Sequence, residues 1–183
     1  MFVFESYIKR PDKKISFKEF EELNQKPEKY FVHIDDTASL TEIRDQIDPR
    51  YIEGVLYFKY KDEIVFDFKL WDDVDCLWAY LVNMIGDFLK EGEAQVYFPD
   101  QPIQLKLMPG KNGFIKFSVK SSDYSRYSFP QKKFFQAVLD SAECFFRKLG
   151  IYLGDEREYK CQLDKITKLR VLICNIKNVG WIT

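Results

Sequence analysis

Three carboxylates, Asp72, Asp73 and Asp75, fall within four residues, with Asp67 a few positions before them. Acids grouped this way can hold Mg²⁺ or Ca²⁺, hard cations that take oxygen ligands. They also stand directly before the most regular apolar stripe in the chain. The first turn of a helix attracts acids without any ligand, through its unsatisfied N–H groups and its dipole. A calcium loop needs further oxygen donors and a glycine at set offsets, and neither follows here. The residues therefore read first as a helix start with Asp72 or Asp73 as N-cap, with no metal and no cofactor expected. A metal-dependent hydrolase using Asp72, Asp73 and Asp75 is the alternative.

Other chemistry is thin. A Ser-His-Asp or Cys-His arrangement would have to use the single histidine, His33, which lies in the apolar run Tyr30-Phe31-Val32-His33-Ile34 and reads as a hydrogen-bonded structural residue. Cys76, Cys144, Cys161 and Cys174 show no C-x-x-C spacing and sit in apolar periodic segments, which predicts buried, reduced thiols. Neither the glycine-rich dinucleotide signature nor a P-loop is present. No catalytic residue is assigned.

Two loops have the composition of recognition surfaces. Tyr97-Phe98-Pro99-Asp100-Gln101-Pro102 joins two strands, its prolines fixing φ and keeping the turn out of the ladder. Stiffened in that way, it would present Tyr97, Asp100 and Gln101 preorganised; a plain structural turn uses the same residues. The stretch from Ser121 to Phe129 mixes Tyr124, Arg126 and Tyr127 with small polar residues, as adaptable binding surfaces do and as solvent loops do.

These positions need elements to hold them. Phe2 to Ile8 reads as a strand. Ser16 and Glu19 form a capping box for a helix carrying Phe17, Phe20 and Leu23, and Lys29 to Ile34 reads as a strand. Residues 35–50 fit a short helix or an ordered loop. Val55 to Tyr60 and Ile64 to Leu70 pair around Lys61-Asp62, with Ile64, Phe66 and Phe68 on one face. Val74, Leu77, Trp78, Leu81, Ile85 and Phe88 make one wide helical stripe that Gly92 ends. A three-stranded meander follows, built on Ala94, Val96 and Phe98, then Ile103, Leu105 and Leu107, then Ile115, Phe117 and Val119. Its other face, with Gln104, Lys106, Lys116, Ser118 and Lys120, is wet. Pro130 opens a helix carrying eight apolar positions from Phe134 to Leu149, with Gly150 as its end. A last helix spans about Glu156 to Cys174, unless Val171 to Ile173 is a strand. The sum is one α+β domain, 1–183: a mostly antiparallel sheet of about six to seven strands, packed on one face by two long aromatic-rich helices, with a C-terminal helix.

The 17 Phe and 11 Tyr supply ample area for such a core. No window approaches the roughly 20 apolar residues of a membrane span, and Met1 to Ile8 lacks the form of a secretory leader, which predicts a cytoplasmic protein with no membrane partner. The net charge of −1 hides an asymmetry: residues 35–100 hold 16 acids against 6 bases, and residues 101–183 hold 7 against 15. The halves could interleave in space and mix their charges, or carry a charged partner. Lys160, Lys165, Lys168, Arg170 and Lys177 could line a phosphate stripe, but no nucleic-acid motif accompanies them, so nucleic acid is not expected.

At Leu70-Trp71-Asp72-Asp73, through the aromatic helix after it and Tyr97-Phe98-Pro99-Asp100-Gln101-Pro102, the chain resembles small uncharacterised cytosolic proteins of Gram-positive bacteria. Some of these are similar to immunity proteins of polymorphic toxin systems. The resemblance covers roughly residues 55–149 and transfers no catalytic or binding residue. It implies a non-enzymatic stoichiometric binder, whose acidic middle segment would meet a basic toxin domain. The candidate partner-binding residues are then Asp72, Asp73, Asp75, Tyr97, Asp100, Gln101, Tyr124, Arg126 and Tyr127. Besides the hydrolase alternative, a self-associating homo-oligomer, acidic region against basic, is the third reading.

Overall fold

The computed structural model describes residues 1–154 and 159–175. Two antiparallel sheets carry the strands. In the first, β1 (Phe2–Lys9) lies between β2 (Phe31–His33) and β3 (Glu53–Tyr60), with β4 (Glu63–Phe66) beyond β3 and the two-residue β5 (Asp72–Asp73) pairing with the start of β3. The second is a meander of β6 (Ala94–Tyr97), β7 (Gln104–Pro109), β8 (Phe114–Lys120) and β9 (Tyr124–Pro130). The long helices are α3 (Val74–Glu91), between the sheets in sequence, and α4 (Gln131–Leu153), followed by α5 (Lys160–Asn175). The short helices α1 (Phe17–Phe20) and α2 (Thr37–Ile43) complete the set. To that extent the α+β reading holds.

An aromatic seam joins the sheets. Phe58 of β3 meets Phe117 of β8, Phe129 of β9 and Phe134 of α4 at ring separations of 6.3, 5.7 and 6.1 Å. Both long helices bury their predicted stripes in this core. Trp78 is fully buried, and its indole N–H is satisfied by Ser6 Oγ at 2.9 Å. A smaller cluster of Leu23, Tyr30, Phe31, Val55 and Phe68 covers the other face of the first sheet.

Several expectations change. The segment 121–129 is not a loop; from Tyr124 onward it is the edge strand β9, in register with β8 from Lys120↔Tyr124 to Phe114↔Pro130. Its inward row is Ser125, Tyr127 and Phe129, and only Phe129 is fully buried, so the apolar alternation is too diluted to read. Ile64, Phe66 and Phe68 do not share a face. A register shift between Phe58 and Lys59 leaves Ile64 51% exposed and Phe66 in the main core, while Phe68 joins the smaller cluster. The capping box at Ser16 forms, yet α1 lasts one turn and Phe17 is 92% exposed. Gly150 lies inside α4, which runs on to Gly154 at φ +76°. Val171 to Ile173 is helical, within α5; Glu156 lies outside the described residues. The thiols are free but not buried: Cys144, Cys161 and Cys174 are exposed and Cys76 is half-buried, because each falls beside its helix's apolar stripe and not on it. No helix among the described residues is long and apolar enough to cross a membrane.

Candidate functional site

The corner where β5 turns into α3 depends on Gly54. It pairs with Asp72, and a Cβ there would strike the Tyr7 carbonyl oxygen and come within 2.8 Å of Val74 Cγ1. Glycine alone lets β5 and the helix start lie this close to β3. Trp71 carries Lys9 over its ring at 5.5 Å, and Lys9 also pairs with Glu53.

Asp72 and Asp73, adjacent in a strand, serve different purposes. Asp72 is buried, and its carboxylate accepts from the backbone N–H groups of Asp73 (2.7 Å), Asp100 (3.1 Å) and Gln101 (3.2 Å). Burial raises its pKa, while these three donors oppose the rise. Gln101 Nε2 donates to the Trp71 carbonyl, and Tyr51 Oη to the Asp100 carboxylate. The proline-flanked loop is thereby fastened to the helix start, and Asp72 is a tether rather than a ligand.

Asp73 occupies the N-cap position of α3 but makes no side-chain capping bond, contrary to the capping expectation. Its carboxylate is directed to the first turn, where one oxygen each of Asp73 and Asp75 and the Cys76 sulfur lie within 4.8 Å of one another. Burial, then the Asp73 carboxylate, pushes the Asp75 carboxyl up to about 7, against the opposing bond from Tyr159 Oη at 3.2 Å. The same two causes push the Cys76 thiol up to about 12. Among the described residues, no Lys or Arg pairs with Asp72, Asp73, Asp75 or Asp100. The hydrolase trio of Asp72, Asp73 and Asp75 is therefore not the one that assembles; Cys76 replaces Asp72. Sequence reasoning passed over Cys76, although its i+3 spacing from Asp73 was the available signal.

Tyr97 leaves that loop for a different surface. The outer face of the second sheet aligns Tyr97, Gln104, Lys120 and Tyr124 in one row and Gln95, Lys106, Ser118 and Arg126 in the next. Gln104 Nε2 donates to Tyr97 Oη at 3.1 Å; Arg126 Nε donates to Tyr124 Oη at 2.6 Å, with the guanidinium 4.7 Å from that ring. Tyr97 and Tyr124 are each 53% exposed. Tyr127 points the other way, and along the strand edge residues 126–129 line a shallow groove of about 610 Å³ against residues 60–63. The nine candidate residues thus divide between the acidic corner and the sheet face with its edge.

Several acids of residues 35–100 are taken up by contacts or by burial. Asp35, Glu53 and Glu93 pair with Lys148, Lys9 and Lys106 from outside the segment, and Asp72 and Asp73 are buried. On α5, Arg170 pairs with Asp140 and Glu143 and Lys165 donates to Asn83, so two of the cations read as a stripe hold helices together; Lys177 lies outside the described residues. Compared with known proteins, the chain matches no family model, no curated protein and no solved structure.

Proposed function

We propose that the protein is a non-enzymatic, stoichiometric partner of another protein, of the kind the resemblance to immunity proteins implies, and that it binds through the outer face of the sheet β6-β7-β8-β9. One observation carries this reading. A four-stranded face, rigid because its reverse side forms the core, presents Tyr97, Tyr124 and Arg126 already held by Gln104 and by each other. Tyr and Arg dominate interface energetics, and side chains ordered before binding lose less entropy on contact.

Lys116, Lys120 and Arg126 give the face a positive sign, so the partner presents an acidic surface. This reverses the polarity expected from the acidic middle segment, in which Asp72 and Asp73 are buried and Asp35, Glu53 and Glu93 are paired. Protein is favoured over nucleic acid because the chain carries a net charge of −1 and Glu93 already neutralises Lys106, leaving few cations for phosphates.

The test places a photo-crosslinking residue at Ser118, at the centre of the face, and at Glu42 on α2 as control, in cells of the source organism. A single acidic protein crosslinked only from position 118 is the expected product. Rebuilt from purified components, it forms a 1:1 complex that weakens at least tenfold with Arg126→Glu and with added salt. Equal labelling from both positions, an RNA adduct, or an adduct between two copies of this chain would each overturn the proposal.

A further inference from the structure

We propose that Asp73, Asp75 and Cys76 bind one borderline-soft divalent cation of the Zn²⁺ class at the start of α3, a site separate from the sheet face. Three donor atoms from three residues lie within 4.8 Å of one another. Tetrahedral ligation at about 2.0–2.3 Å sets ligand–ligand separations of about 3.5 Å, so no pair of the trio has more than about 1.3 Å to close. Asp75 and Cys76 are only half-buried on the first helical turn, and the Tyr159 bond to Asp75 engages one carboxylate oxygen.

A cluster of acids at a helix start would not by itself require a ligand. The second observation is Asp73. Only 7% exposed, it keeps a buried Oδ1 that accepts no hydrogen bond, in the N-cap position where a carboxylate ordinarily takes the N–H of the second or third helical residue. Leaving a buried charged acceptor without a partner is expensive, and facing it with another carboxylate and a thiol increases the cost. Something positive between the three groups resolves the conflict: a proton shared by the two carboxyls, or a metal ion that also takes the sulfur.

Donor chemistry selects the class of cation. Two carboxylate oxygens and a thiolate are too few oxygens for Ca²⁺ and include a ligand that Mg²⁺ avoids. Thiolate with carboxylate suits Zn²⁺ and its neighbours Co²⁺ and Cd²⁺. Three protein donors leave a tetrahedral ion one further position. On binding, the proton of the Cys76 thiol and any carboxyl proton are released to solvent, so affinity rises with pH.

The experiment uses the full chain, stripped with EDTA and titrated with Zn²⁺, Co²⁺, Mg²⁺ and Ca²⁺. Native mass spectrometry should find one Zn²⁺ per chain, and saturation a hundredfold above Kd should raise Tm by about 7 °C. Co²⁺ should give the near-ultraviolet thiolate-to-cobalt charge-transfer band; Mg²⁺ and Ca²⁺ should change nothing. Cys76→Ser should abolish the band and, like the near-isosteric Asp75→Asn, weaken Zn²⁺ at least about tenfold, while Cys144→Ser leaves both unchanged. Circular dichroism checks that each variant folds. Failure to bind Zn²⁺, or binding indifferent to both Cys76→Ser and Asp75→Asn, overturns the site. So does a rise in Tm from Asp75→Asn with no response to metal, the signature of a shared proton alone.

Discussion

Replacing Asp72 by alanine removes the acceptor for three backbone N–H groups at once. The Asp73 amide lies in a buried bond, and a buried donor left without a partner costs about 1–3 kcal/mol. The Asp100 and Gln101 amides are only part-buried, so water replaces the carboxylate there at about 0.5 kcal/mol each. Against this, the variant relieves the burial of a negative charge beside Asp100. The net loss is about 2–3 kcal/mol, which for 183 residues lowers Tm by about 5–8 °C. Asp72→Asn keeps one acceptor oxygen and should lose about 1 kcal/mol. Urea unfolding with linear extrapolation measures both, and hydrogen exchange follows the Asp100 and Gln101 amides. A loss below about 0.5 kcal/mol for Asp72→Ala, with those amides exchanging no faster, would refute the tether.

Gly54→Ala should destabilise by about 3 kcal/mol or more, since its new Cβ meets backbone rather than a movable side-chain end; a Tm within about 2 °C of the parent would show that β3 and β5 separate easily. Glu143 is held below its ordinary value of 4.5 by its bond to Arg147 and then by Arg170. The folded carboxyl thus releases its proton more readily than the unfolded one, so its contribution is complete above about pH 4.5 and is lost as pH falls below that. Glu143→Gln should flatten that part of the stability curve below about pH 4.5; an unchanged slope assigns the acid sensitivity elsewhere.

The long elements were legible because periodicity records burial directly. Leu77, Trp78, Leu81, Ile85 and Phe88 on α3 and the row from Phe134 to Leu149 on α4 are buried as their spacing requires. The meander was legible for the same reason at period two. What stayed hidden was set by partners distant in sequence. β9 is a strand because β8 offers it a complete ladder, although its own residues are mostly polar. Ile64 and Phe66 part because a bulge opposite Phe58 and Lys59 interrupts the alternation that local sequence displays, and Phe68 reaches the smaller cluster from the turn after β4 ends. Part of the charge asymmetry is taken up by pairs such as Asp35 with Lys148, 113 residues apart.

The acidic corner follows from two periods meeting. In β5, successive side chains leave opposite faces, so Asp72 must point away from Asp73; one reaches the loop at Asp100 and Gln101, the other the helix. Once α3 begins at Val74, its second and third residues, Asp75 and Cys76, stand where an N-cap side chain would fold over the first turn. Asp73 therefore meets an acid and a thiol in place of free N–H groups. Three neighbouring aspartates looked equivalent in the sequence because their spacing alone does not say where strand gives way to helix. That junction lies between Asp73 and Val74. Moving it by one residue would take Asp73 off the N-cap position and turn both side chains, freeing the loop and dismantling the trio together.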